Sequence, residues 1–197
     1  MIQSVCVFCG SRLGTSPRYE EGASAVGLLL AERRKTLVYG GGNVGLMGVL
    51  ADGALKGGGE VIGVIPAALM ERELGHGGVT DLRIVGTMHE RKALMADLSD
   101  AFLAMPGGYG TLDELCEILT WAQLGLHAKP VGLLNTEGYF DAFLSFLTRS
   151  VEEGFLQPID REMLLVDSDP ARLLEQLLAA PARETRDVAT KVDRRVR

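Results

Sequence analysis

The chain has 197 residues and a mass of 21.1 kDa, with 47% hydrophobic and 23% charged residues, a length and balance that fit one globular domain with a sizeable core. Its net charge of −6 and pI near 5.1 argue against nonspecific nucleic-acid binding, which needs basic patches to neutralise phosphates. No apolar run approaches the ~20 residues of a membrane span, three cysteines cannot all pair, and the N-terminus starts on a strand pattern without the features of a signal peptide, so a cytoplasmic protein with free thiols is expected.

Apolar runs rich in Val, Ile and Leu occur at 5–8, 36–39, 61–65, 82–85, 101–105 and 131–134, and helical spacing at 19–33, 46–56, 91–99, 112–124 and 139–152. Strands alternating with helices predict an α/β fold. The strand runs are nearly continuous in apolar residues rather than alternating, so both faces should be buried, as in a Rossmann-like, mainly parallel sheet sandwiched between helices. Residues 1–180 are expected to form one domain. Beyond them, 181–197 carries many charges and few large apolar residues and reads as a disordered tail. Its excess of arginine offers a contact for an acidic partner, but a solvated terminus is the simpler reading.

In such sheets a ligand sits off the carboxyl ends of the strands, where glycine-rich loops enter helices. Three loops qualify: Cys9-Gly10-Ser11 after 5–8, Gly40-Gly41-Gly42 after 36–39, and Pro106-Gly107-Gly108 after 101–105. Gly40-Gly41-Gly42-Asn43-Val44-Gly45 matches the spacing of a pyrophosphate turn. The next strand ends Val64-Ile65-Pro66 with no carboxylate for ribose hydroxyls, which favours a mononucleotide phosphate over NAD. The alternative is a tight turn with close helix packing at Gly45 and Gly48.

The stretch Pro106-Gly107-Gly108-Tyr109-Gly110-Thr111-Leu112-Asp113-Glu114 is the most informative. Its glycines and threonine at a strand-to-helix junction predict a cradle of N–H groups for phosphate, with the Glu114 carboxylate one turn into the helix. The competing reading makes Thr111-x-x-Glu114 a capping box. The expected phosphate-loop glycines are therefore Gly41, Gly42, Gly45 and Gly107. Arg91 shares a helical face with Leu94, Met95 and Leu98; it either snorkels or pairs nearby, or holds phosphate or carboxylate in the crevice of Glu114. Cys6-x-x-Cys9 lies on a strand, where i and i+3 face opposite sides, so core packing is expected. His76, His89 and His127 lack metal-ligand spacing and no Walker-type Gly-Lys-Ser/Thr occurs, so neither a metal nor a bound cofactor is expected.

Cys6-Val7-Phe8-Cys9-Gly10-Ser11, Tyr39-Gly40-Gly41-Gly42 through Gly48, Met88-His89-Glu90-Arg91-Lys92, the Pro106 to Glu114 stretch, Thr120-Trp121-Ala122-Gln123-Leu124-Gly125 and Lys129-Pro130-Val131-Gly132-Leu133-Leu134-Asn135 together closely resemble the LOG ("lonely guy") family. That resemblance implies a homodimeric, Rossmann-like cytokinin riboside 5'-monophosphate phosphoribohydrolase, which splits the N-glycosidic bond of a nucleoside 5'-monophosphate to free base and ribose 5-phosphate. It implies Arg91 and Glu114 as the catalytic pair. Glu73, Lys92, Gly108, Tyr109, Gly110, Thr111 and Thr120 follow as substrate-binding positions, Glu73 on the assumption of no gap in 74–78. The base stays open between adenine and adenine with an isoprenoid substituent. A noncatalytic nucleotide carrier or sensor and an NAD-linked oxidoreductase are the rivals. Such proteins have also been labelled lysine decarboxylases, but no lysine stands in a recognisable Schiff-base setting.

Overall fold

The chain alternates β1 (Ser4–Phe8), α1 (Pro17–Glu32), β2 (Thr36–Tyr39), α2 (Gly45–Lys56), β3 (Val61–Pro66), β4 (Asp81–Val85), α3 (Met88–Asp97), β5 (Ala101–Ala104), α4 (Tyr109–Gln123), β6 (Val131–Leu134), α5 (Asp141–Glu152), α6 (Pro158–Arg161), β7 (Leu164–Asp167) and α7 (Pro170–Ala179). The computed structural model describes residues 1–70 and 74–181. Glu73 and nearly all of the 181–197 segment lie outside the described residues. The strands form one parallel sheet in the order β4-β3-β2-β1-β5-β6-β7.

Period-two alternation sorts the strand side chains into two cores. Val5, Val7, Leu37, Tyr39 and Leu103 pack under α1, α2 and α7. Cys6, Phe8, Val38, Phe102 and Ala104 pack under α3, α4 and α5. Cys6 and Cys9 fall in opposite cores, as strand geometry requires, and both are free thiols. Burial is the main influence raising the Cys6 thiol well above its ordinary value.

Helix starts follow local chemistry. Ser16 caps α1 with Pro17 at its first position. Thr87 and Glu90 close a capping box on α3: the Glu90 N–H donates to Thr87 Oγ1 at 3.1 Å, and the Thr87 N–H to Glu90 Oε2 at 3.2 Å. That box starts α3 at Met88, three residues before the apolar stripe predicts. The elements β7, α6 and α7 have no counterpart among the runs taken from sequence. β7 is a four-residue edge strand, but α7 carried a legible signal: Asp169 caps it, Pro170 opens it, and Leu173, Leu174 and Leu177 are its buried stripe. Among the described residues no helix is long and apolar enough to cross a membrane.

The chain runs outward from β1 through β2 and β3 to β4, then returns to β5 on the other side of β1. The helices after β1 and β5, α1 and α4, therefore lie on opposite faces, and a crevice opens at the carboxyl edge, the usual ligand position in an open parallel sheet.

Candidate functional site

At that switch point β1 and β5 are neighbours in register, Phe8 opposite Ala104, and their loops are stitched together. The Met105 N–H donates to Phe8 O at 2.8 Å, and the Gly10 N–H to Pro106 O at 3.0 Å. A cavity of about 260 Å³ opens beside this seam. Its floor comes from Cys9, Gly10 and Ser11, and one wall from Gly108, Tyr109, Gly110, Thr111, Asp113 and Glu114 of the α4 entry. Arg91 faces them from α3, and Met47, Leu69 and Met88 add an apolar side.

Gly108 caps α4 without a side-chain cap hydrogen bond. Thr111 is thus the third helical residue, buried, and Glu114 lies in the second turn. The capping-box alternative for Thr111 and Glu114 is set aside, since the cap sits three residues earlier. The first-turn N–H groups of Tyr109, Gly110 and Thr111 precede any intrahelical partner and carry the positive end of the α4 dipole. The approach is close: a Cβ on Gly107 would stand 2.1 Å from Thr111 Oγ1 and 2.9 Å from the Gly10 nitrogen.

Arg91 is only 5% exposed, which settles the choice between snorkelling and an inward guanidinium. Its Nη2 donates to Gly40 O at 2.9 Å. It and Glu114 act in opposite directions on the Cys9 thiol beneath them: burial raises that pKa most, the Glu114 charge raises it further, and the Arg91 charge lowers it. One cavity therefore combines a guanidinium, a carboxylate and an open helix N-terminus.

Other expected positions are used differently. Gly41, Gly42 and Gly45 do not line this cavity, and the contacts they make in the chain are those of a tight turn. The Gly41 carbonyl accepts from the His76 N–H at 2.9 Å, Gly42 bridges Gly75, and the Asn43 N–H donates to Leu74 O at 3.0 Å. Gly45 adopts φ +57°, and a Cβ there would stand 2.2 Å from the Ser11 carbonyl carbon. These glycines let α2 and the 74–76 segment close on the sheet. Gly107 shapes the α4 entry from behind the lining.

Lys92 does not line the cavity but clasps α3 to α4, its ammonium 3.2 Å from Oδ2 of Asp113, itself a lining residue, and 3.1 Å from Glu117 Oε1. Partial desolvation, the largest influence, works against its charged form, but the bonds and charges of Glu117 and Asp113 outweigh it and raise the pKa. Thr120 is nine residues beyond Thr111, ~13 Å along α4. Its hydroxyl donates to Cys116 O at 2.7 Å, and it lines a separate groove between α4, α5 and α6. Sequence reasoning missed Met47, Leu69 and Met88. Only Met88 carried a signal, standing one turn before Arg91 on the same helix face. Among the described residues no three His, Cys, Asp or Glu side chains stand close enough to hold a metal.

A family model described as "possible lysine decarboxylase" matches residues 47–177. The chain is 50% identical over 173 residues to the cytokinin riboside 5'-monophosphate phosphoribohydrolase LOG7 of Arabidopsis thaliana, covering 88% of this chain and 80% of that protein. It is 51% identical over 170 residues to the rice (Oryza sativa subsp. japonica) enzyme LOG, covering 86% and 70%. Among solved structures, the molybdenum cofactor carrier protein MCP of Chlamydomonas reinhardtii superposes with a TM-score of 0.69 at 26% identity, covering 91% of this chain and all of that one. With about half of its residues shared over most of its length with the Arabidopsis and rice phosphoribohydrolases, the chain belongs to the LOG family.

Proposed function

We infer that this chain is a cytokinin riboside 5'-monophosphate phosphoribohydrolase, releasing free base and ribose 5-phosphate. The observation that carries this reading is the single cavity lined by Arg91, Glu114 and the amino end of α4. The 5'-phosphate binds the N–H groups at Gly108 to Thr111, where the helix dipole favours an anion. Breaking the bond from ribose C1' to the base nitrogen builds positive charge on the sugar, as in glycoside hydrolysis. Glu114 stabilises that charge and accepts a proton from the attacking water; the water oxygen bonds C1', the electrons of the broken C1'–N bond stay on the base nitrogen, and that nitrogen takes a proton from solvent, to which Glu114 gives up its own. Arg91 fixes the substrate and orients Glu114.

Decarboxylation of lysine through a Schiff base needs a lysine whose amine is held neutral. Among the described residues none of Lys35, Lys56, Lys92 and Lys129 lines the cavity, and the Lys92 ammonium is held charged by two carboxylates. The carrier reading draws on a fold match at 26% identity, whereas the hydrolase names come at about 50%. Met47, Leu69 and Met88 give the cavity an adaptable apolar side that suits an isoprenoid substituent on the base. Incubating the protein with AMP and with isopentenyladenosine monophosphate, then separating products by chromatography, should yield free base and ribose 5-phosphate, faster from the second. Intact nucleotide with measurable binding would instead establish a carrier.

A second copy of the chain completes the assembly in this reading. Helix α5 has no fully buried residue despite a one-sided apolar pattern, and Phe146, Phe155 and Leu126 are 64%, 87% and 69% exposed beside the Thr120 groove. Soluble monomers rarely leave such patches open. A substrate role for Thr120 requires that second copy, because its own cavity is out of reach. Sedimentation should give a dimer for the wild type and a monomer for Phe146→Asp; a monomeric wild type would overturn the pairing. The proposed compartment is the cytoplasm, where thiols such as Cys6, Cys9 and Cys116 stay reduced.

A further inference from the structure

We propose that Tyr139 is a positioning residue for the 5'-phosphate, acting through the Gly107–Gly108 peptide; this rests on the phosphoribohydrolase reading above. The Tyr139 hydroxyl donates to Gly107 O at 2.6 Å, from a turn 32 residues later in the chain. A trans peptide points its carbonyl and its N–H in opposite directions, and no peptide here is cis. Holding the Gly107 carbonyl toward Tyr139 therefore turns the Gly108 N–H away from it. Gly108 lines the cavity and Tyr139 does not. The hydroxyl thus stands behind the loop and aims one N–H of the anion cradle.

The turn that carries Tyr139 is held in place. Glu137 and Gly138 both take positive φ, +53° and +71°, between β6 and α5. For a glutamate that conformation persists only where surroundings over-determine it. Asn135 supplies that constraint: its Oδ1 accepts from the Phe140 N–H at 2.7 Å and its Nδ2 donates to Asp141 Oδ1 at 2.8 Å. On the other side the Tyr139 ring meets Tyr19 edge-on, with centroids 5.7 Å apart, and Tyr19 stands over Gly14, where a Cβ would come within 2.7 Å of its ring. A strained turn, an amide staple and an edge-on ring all serve to deliver one hydroxyl to one carbonyl. Packing alone would need the ring but not the hydroxyl.

Tyr139→Phe keeps the ring contacts and removes only that bond. Its KM for the nucleoside monophosphate should rise roughly three- to tenfold, the scale of one hydrogen bond, with kcat nearly unchanged. The weak hydrolysis of the matching nucleoside, which has no phosphate to place, should not change, so the preference for nucleotide over nucleoside falls by the same factor. Affinity for ribose 5-phosphate, measured by calorimetric titration, should weaken in parallel. A merely structural role would lower nucleotide and nucleoside turnover together, and that outcome, or unchanged affinity for ribose 5-phosphate in a variant with wild-type melting, overturns the proposal. Wild-type protein that binds ribose 5-phosphate without cleaving nucleotide would sink the hydrolase reading alone, since the affinity comparison still decides the role of Tyr139. Wild-type protein that binds no ribose 5-phosphate overturns this proposal.

Discussion

Glu114→Gln should lower turnover of isopentenyladenosine monophosphate by roughly 10²- to 10⁴-fold, the range for removing a positioned acid–base group. The substitution keeps shape and removes charge, so the sugar loses the carboxylate that stabilises its developing cation and takes the water's proton. Binding should change little, because the proposed phosphate site lies one turn earlier, at the Gly108 to Thr111 entry of α4. No helix cap is lost, because Gly108 caps α4 and Glu114 does not. Chromatography of products and calorimetric binding on the same preparation check both halves. Equal turnover in the variant would remove Glu114 from the mechanism.

Gly40→Ala should be nearly as damaging as Arg91→Ala, about 10²- to 10³-fold in kcat/KM, the scale of losing one transition-state donor. Gly40 is not among the positive-φ glycines, so alanine suits its backbone. What it lacks is room: the new Cβ would lie 1.9 Å from Arg91 Nη2 and 3.0 Å from its Cζ. The guanidinium must leave the site where it donates to Gly40 O. If Gly40 acts only through Arg91, the double variant Gly40→Ala/Arg91→Ala should be no slower than Arg91→Ala, because the clash is gone. Additive losses would show that Gly40 has a separate role.

Arg91 also illustrates how much of the site was legible. Its place at the head of an apolar stripe leaves snorkelling, pairing and an inward guanidinium all open, and the glycine-rich junction before α4 predicts an anion cradle. Both readings come from local pattern, and the structure brings these residues to one cavity. The first glycine turn had an equally good local pattern and a different use. Whether Gly41 and Gly42 face a ligand or another strand depends on where the 74–76 segment lies, and nothing within six residues of the turn encodes that. Lys92 and Thr120 match the family motifs, yet within one chain they meet Asp113 and Glu117, and Cys116.

The α/β class, the parallel sheet and six of its strands were written in the sequence, because nearly continuous apolar runs and their 3.6-residue counterparts are set by each segment's own burial; edge strand β4 alone of the six has no buried residue, and Ile84 is exposed. The order β4-β3-β2-β1-β5-β6-β7, and with it the switch point that opens the cavity, belongs to the tertiary structure. So do the contact of Arg91 with Gly40 across 51 residues and that of Tyr139 with Gly107 across 32. Such pairings follow from which strands sit side by side and in what register. Local periodicity records which face of a segment is buried, but not which neighbour buries it.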